Sequence, residues 1–194
     1  MITYISINGR DDIPRFLNEE RLTGLGVEIG THIGDYALTI LNTWRGTLYC
    51  IDPWDNLPDY ESQLPYLAGG TDQQANKKKA EERLWPYIAR DRCRTLALTS
   101  QDAVQFFQND SLDFVYVDGN HQMEHVLNDL QWWWPKLRSG GYMFGHDFLC
   151  PGEANHGWGL HIQPAVTTFC MNYGVDYSLI PEGNLPWSFA IRKP

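Results

Sequence analysis

The sequence predicts an α/β fold: a doubly wound, mostly parallel sheet of seven strands that ends in an antiparallel hairpin. Three observations predict it. Short apolar runs alternate with stretches of helical periodicity along most of the chain, the pattern of strand–helix–strand crossovers. The strongest run, Leu112-Asp113-Phe114-Val115-Tyr116-Val117-Asp118, is nearly continuous in its apolar character, as a strand covered on both faces must be. The last two runs flank a short turn at Glu182-Gly183-Asn184, which reads as a hairpin.

Taken in order, the first strand covers residues 26–30 and ends on a glycine. Tyr36, Ala37, Ile40, Leu41 and Trp44 then fall at helical spacing. Residues 47–52 form the second strand. Residues 73–90 form an amphipathic helix whose Lys77-Lys78-Lys79 run faces solvent beside Glu81 and Glu82. The third strand is 94–98, and Ala103, Val104, Phe106 and Phe107 start a short helix after it. Beyond the fourth strand (112–118), Val126, Leu130, Trp133, Trp134 and Leu137 share one helical face. In the Trp132-Trp133-Trp134 triplet the last two rings are core, and Trp132 points elsewhere. Residues 141–145 make the fifth strand, 164–171 a helix, and 177–180 with 187–191 the closing hairpin. Two long loops, 53–72 and 150–159, are candidate lids, since loops of such length are usually functional.

The chain of 194 residues reads as one domain at roughly 150 residues per domain, with residues 1–23 as an N-terminal extension. Its 15 basic and 24 acidic residues give a net charge of −9. A duplex-DNA binder needs a basic surface to displace phosphate counterions, so nucleic acid is not an expected partner. The N-terminus lacks a basic segment followed by an apolar one, and no apolar run approaches the roughly 20 residues of a membrane span. A cytoplasmic protein without a membrane partner is the expectation. Cys50, Cys93, Cys150 and Cys170 form no CxxC pair and read as buried thiols. A homodimer stays open. Aromatic residues reach 13%, with 8 Trp. Some of these rings are core; Trp54, Tyr60, Tyr66 and Trp158 lie in the long loops, where a ring can stack on a ligand.

In open α/β sheets, ligands bind beyond the carboxyl ends of the strands. Those ends carry Gly30, Thr31, His32 and Gly34; then Asp52; then Ser100, Gln101 and Asp102; then Asp118, Asn120 and His121; then His146 and Asp147. One such end is ordinary turn chemistry. Five on one edge are a candidate site. The glycines of the first loop let backbone approach a ligand at the following helix N-terminus. Asp52, about 20 residues on, can accept both hydroxyls of a ribose. No GxGxxG follows the first strand, which disfavours a dinucleotide, and no GxxxxGK[ST] is present for a nucleoside triphosphate.

These residues resemble a class I S-adenosylmethionine-dependent methyltransferase, over about residues 26–148. Val27-Glu28-Ile29-Gly30-Thr31-His32-Ile33-Gly34 is similar to the E-x-G-x-x-x-G loop of catechol-type O-methyltransferases. The segment Asp113 to His121, followed by Gly140-Gly141-Tyr142-Met143-Phe144-Gly145-His146-Asp147, resembles the "DxxxxDGxH … GGxxxxHD" pattern near macrocin-type sugar O-methyltransferases. The resemblance implies a Rossmann-like fold, S-adenosyl-L-methionine as cofactor and a small-molecule acceptor. It implies that Glu28, Gly30, Thr31, His32 and Gly34 meet the methionine end, Asp52 the ribose, and Ser100 and Gln101 the adenine, with Asp118 beside the cofactor. It implies Asp118 and His121 as catalytic residues, the latter as base. Asp118, Asp147 and His146 are the candidate ligands of Mg²⁺ or another divalent cation. The family's acid–amide or acid–acid pair is here His146-Asp147, and its lysine base is here His121, so a metal stays open. Trp54, His146 and Trp158 are the candidate acceptor contacts.

Three other readings remain at this stage. Asp118 and Asn120 can cap the next helix, leaving His121 and His125 on its exposed face. The domain can bind an S-adenosyl ligand without catalysis, as a scaffold. His121-Gln122-Met123-Glu124-His125 also matches H-x-x-E-H, a zinc-peptidase pattern that needs both histidines on one helix face.

Overall fold

The computed structural model describes residues 3–4, 6–55, 72–148, 159–183 and 187–194. The strands are β1 (Thr3–Tyr4), β2 (Leu25–Ile29), β3 (Thr47–Ile51), β4 (Cys93–Leu96), β5 (Leu112–Val117), β6 (Leu137–Phe148), β7 (Tyr177–Ile180) and β8 (Trp187–Arg192). The helices are α1 (Ile13–Glu19), α2 (Asp35–Thr43), α3 (Gln73–Ile88), α4 (Ser100–Ala103), α5 (Met123–Trp133) and α6 (Gly159–Tyr173). The sheet runs β1-β7-β8-β6-β5-β2-β3-β4. Strands β2 to β6 pair in parallel, and β8 lies antiparallel between β6 and β7. The seven expected strands are thus present in the expected α/β architecture, and the two-residue β1 adds an eighth beside β7.

Alternation along the strands feeds two cores, one on each sheet face. Leu112, Val115 and Val117 of β5 pack with Val126, Leu130 and Trp133 of α5 and Val166 and Phe169 of α6. Phe114 and Tyr116 point to the other face, with Leu17 of α1, Tyr36 and Ile40 of α2 and Leu84 of α3. A strand sandwiched in this way has no room for polar alternation, and all six residues of β5 are buried.

Several boundaries differ from the expectation, each for a local reason. Helix α5 stops at Trp133 because Pro135 has no N–H to continue it, and Leu137 opens β6 instead of ending the helix. β6 runs through His146 and Asp147, which the sequence placed just past it. Its pairing with β5 ends at Val117↔Gly145, and its register against β8 shifts between Gly145 and Phe148. The last residues of β6 therefore bend out of the regular ladder, as a bulge does, and re-aim their side chains. Helix α1 lies in the segment read as an extension; it has only seven residues, with Pro14 at its start. Helix α6 begins at Gly159, five residues before the expected start. Of the two candidate lids, residues 56–71 and 150–158 lie outside the described residues, and with them Tyr60, Tyr66 and Trp158.

The chain lays β3 and β4 on one side of β2, then returns to place β5 on the other. The sheet order reverses between β2 and β5, and the crevice beyond those two strands is where α/β folds bind ligands.

Candidate active site

The loop after β2 is drawn tight against the ends of its neighbours. Gly30 donates its N–H to the Ile51 carbonyl at 2.8 Å, and Asp118 donates its own to Ile29 at 2.9 Å. Gly30 has φ +89°, and a Cβ there would lie 2.0 Å from the Asp118 carbonyl oxygen. Only glycine permits that approach. Gly34, at φ +78°, precedes the first turn of α2. Arg83 of α3 clamps the loop, donating to the Ile33 carbonyl at 2.5 Å and pairing with Asp35 at 2.7 Å.

Glu28 sits on the apolar face of β2 beside Tyr36 and Tyr116 and is 2% exposed. Thr31 donates its hydroxyl to Glu28 Oε2 at 2.8 Å. Burial pushes the carboxyl up to about 8 despite that bond, so it is largely protonated at neutral pH. Asp52 follows β3 directly and accepts the backbone N–H groups of His32 (2.8 Å, at Oδ2) and Trp54 (2.8 Å, at Oδ1). Burial raises its carboxyl in spite of both bonds. Each oxygen keeps a lone pair for a further donor.

Trp54, expected to face the acceptor, is fully buried instead. Its indole N–H donates to the His32 carbonyl at 2.7 Å, and Gln74 donates to its own carbonyl at 2.9 Å. The ring braces the loop from behind. His32 is half-buried, with Nε2 3.4 Å from Asn76 Nδ2, and burial lowers its imidazole.

Past Gly30 lies a cavity of about 170 Å³ lined by Ile29, Ile51, Leu98, Ser100, Gln101 and Trp132, among others. Ser100 and Gln101, expected beside adenine, both reach it. Trp132, the ring that left the core face, forms part of its wall.

The second half of the crevice carries the charge. His121 Nε2 lies 2.8 Å from Asp147 Oδ2 and 3.4 Å from Asp118 Oδ1. The donor atoms of Asp118, His121 and Asp147 all fall within 4.8 Å of one another. Burial alone would lower the His121 imidazole, but the bonds to the two aspartates outweigh it and hold it near 9. Burial likewise works against ionised Asp147, yet its bonds to His121 and His146 keep it well below the carboxylate range. His146 stands behind this group, Nδ1 3.3 Å from Asp147 and Nε2 3.7 Å from Glu182 Oε1. So the three converging ligand atoms come from Asp118, Asp147 and His121, where the sequence reading put His146 in the third place.

Two hard carboxylates and one imidazole at this separation suit a divalent cation. The H-x-x-E-H geometry does not form: α5 begins at Met123, after His121, and His125 lines the other cavity. Asn120 accepts the Gln122 N–H at 3.0 Å, a local turn rather than a helix cap. Two residues without a signal in the sequence complete the crevice. Arg10 comes from the N-terminal segment, 3.7 Å from Asp118 and stacked over Tyr36 at 5.0 Å. Glu182 comes from the hairpin turn, fixed by the Ser188 hydroxyl at 2.7 Å. His32 (φ 51°), Trp54 (φ 45°) and Asp147 (φ 58°) also hold left-handed backbone, which is uncommon outside glycine.

Strand order, glycine loop and acidic strand ends together define a class I methyltransferase. A family profile described as a methyltransferase domain matches residues 27–148, and the chain belongs to that family. No curated protein matches it in sequence. Among solved structures, the chain is similar to the O-methyltransferase from Bacillus cereus in complex with SAH (13% identity, 94% of this chain and 80% of that one, TM-score 0.66). It is also similar to TomG, the O-methyltransferase of tomaymycin synthesis from Streptomyces achromogenes, in complex with SAM (15%, 95% and 80%, 0.64). The cofactor-bound protein Rv0187 from MTB resembles it at 14% identity, 95% and 79% coverage and TM-score 0.69. At these identities the likeness is one of fold. Among the described residues, no helix is long and apolar enough to cross a membrane.

Proposed function

We propose that the chain transfers the methyl group of S-adenosyl-L-methionine to a hydroxyl of a small molecule, with a divalent cation at Asp118 and Asp147 and His121 beside it as base. The observation that carries this reading is the convergence of those three side chains beyond the end of β5, where the Asp118 backbone packs against Gly30 of the E-x-G-x-x-x-G loop. One half of the crevice has the groups for a nucleoside and an amino-acid end. The other has the groups to ionise a hydroxyl.

Methyl transfer from a sulfonium to oxygen is an in-line displacement, so the protein's task is position and proton removal. Gly30 and Gly34 bring backbone up to the methionine end. Asp52 accepts the ribose hydroxyls. A cation on Asp118 and Asp147 would lower the acceptor's pKa and orient it. In the free protein the two aspartates hold a proton on His121, so the ring can serve as base for the acceptor only where their charge is offset, which a bound cation would do. His146 steadies Asp147 from behind, with Glu182 on its far nitrogen. The acceptor is a small molecule met in the cytoplasm.

The test uses the purified chain with S-adenosylmethionine and a panel of hydroxylated sugars and phenols, with and without Mg²⁺ or Mn²⁺. S-adenosylhomocysteine should raise the melting temperature, since saturation at 100 times Kd adds about 2.7 kcal/mol. Turnover should need the metal. Stabilisation without turnover on any acceptor favours a binding scaffold, and absence of stabilisation by either S-adenosyl ligand sinks the reading.

A further inference from the structure

The cavity past Gly30 holds an ionisable side chain that plays no part in the chemistry above. Asp129 lies on α5, is 5% exposed and lines this cavity. Ser100 donates its hydroxyl to Asp129 Oδ1 at 2.5 Å, and Trp133 donates its indole N–H to Ser100 Oγ at 2.8 Å. The relay fixes Ser100's only proton on Oδ1. Among the described residues, Ser100 is the sole donor to this carboxylate, so Oδ2 has none from them. A carboxylate at this depth is costly unless hydrogen bonds replace its lost water. One hydroxyl does not replace it: burial pushes the group up to about 7.

The surroundings say what would supply the missing donor. Ile29, Ile51 and Leu98 give the cavity apolar walls, and Trp132 gives it a ring. Ile51 and Pro53 line it on either side of Asp52 in sequence, so a ribose held by Asp52 has this cavity for its base. Gln101, Asn120 and His125 also reach the cavity, and Asp129 is the buried carboxylate among its lining residues; an aromatic base fits between the apolar walls with its N–H edge toward that acceptor.

We propose that Asp129 reads the exocyclic 6-amino group of adenine, Oδ2 accepting one of its N–H bonds. The inference rests on the S-adenosyl reading of the crevice and extends it to a residue on α5. It makes the site selective at one atom. A 6-oxo base such as hypoxanthine turns an acceptor toward the carboxylate and is repelled.

The experiment is calorimetric titration at pH 8 with S-adenosylhomocysteine and its 6-oxo analogue, S-inosylhomocysteine. The wild-type chain should prefer the amino compound by at least about tenfold, the scale of one hydrogen bond to a charged group. In Asp129→Asn the amide carbonyl keeps the Ser100 proton and the amide N–H group faces the cavity. That preference should fall by about tenfold or more and lean toward the oxo compound. An unchanged preference in a folded Asp129→Asn protein overturns the proposal. So does equal affinity of the wild-type chain for the two ligands, which needs no variant and leaves the S-adenosyl reading intact. Binding of neither ligand by the wild-type chain overturns that reading itself.

Discussion

Gly30→Ala tests the packing that joins the two halves of the crevice. The added Cβ would stand 2.0 Å from the Asp118 carbonyl oxygen, 2.5 Å from its carbonyl carbon and 2.7 Å from Gly119 Cα. All three are backbone atoms, so no side chain can swing aside. Contacts under 3.0 Å are essentially never seen for a real Cβ, so the loop and the end of β5 must part by about 1 Å. Holding alanine at left-handed φ costs about 1–2 kcal/mol, and overpacking a tight contact about 1–3 kcal/mol. The sum is about 2–5 kcal/mol. For a domain of this size each kcal/mol lowers the melting temperature by about 2–4 °C, so a fall of roughly 4–20 °C is expected. Asp118 also moves relative to His121 and Asp147, so affinity for S-adenosylhomocysteine should drop with stability. Thermal melts by circular dichroism and calorimetric titration measure both. A melting temperature within about 2 °C of wild type, with unchanged affinity, refutes the reasoning.

His121→Ala should lower turnover by about 10²–10⁴-fold, the usual contribution of a positioned base, while S-adenosylhomocysteine binds within a few-fold of wild type. Unchanged turnover in the folded variant removes His121 as base. Asp147→Asn should weaken Mn²⁺ or Mg²⁺ binding by calorimetry at least about tenfold and leave the S-adenosyl ligand in place; equal metal affinity would place the cation elsewhere. Asp129→Asn should also change the pH dependence of stability. With Asp129 raised to about 7 in the fold, the unfolded chain releases this proton from about pH 4 while the folded chain keeps it. Wild type therefore loses stability as pH rises from about 4 to 7, and is level above. The variant lacks this loss, so its melting temperature should gain several degrees on wild type across that window. A difference that does not vary with pH would show that the buried carboxyl is not raised.

The sequence shows the sheet because buried parallel strands leave a plain mark: β5 is apolar but for Asp113, and glycines or acids punctuate the strand ends. It shows the first half of the crevice for the same reason, since Gly30, Gly34 and Asp52 sit at offsets that local geometry dictates. The second half depends on distance in space. His121 and Asp147 come from different strand ends, and only the bend at the end of β6 brings them to 2.8 Å. Nothing in a linear pattern reports that bend, so the sequence offers His146 as the third ligand and His121 as base alone. Arg10 and Glu182 are brought in by tertiary packing, with no motif around them. Asp129 was legible in principle. It lies three residues after Val126 and four before Trp133, in the middle of the buried face of α5. A carboxylate centred on an apolar stripe is the signal to look for.

The left-handed backbone at His32 and Asp147 sets this chain's evolvability. Glycine at either position would relax the main chain and is a natural answer to selection for heat tolerance. It would also delete a side chain that lines or builds the crevice. Heat tolerance and the proposed chemistry thus pull in opposite directions at these two positions. Trp54 escapes that conflict, because its buried ring contributes more to folding than its strained backbone takes away.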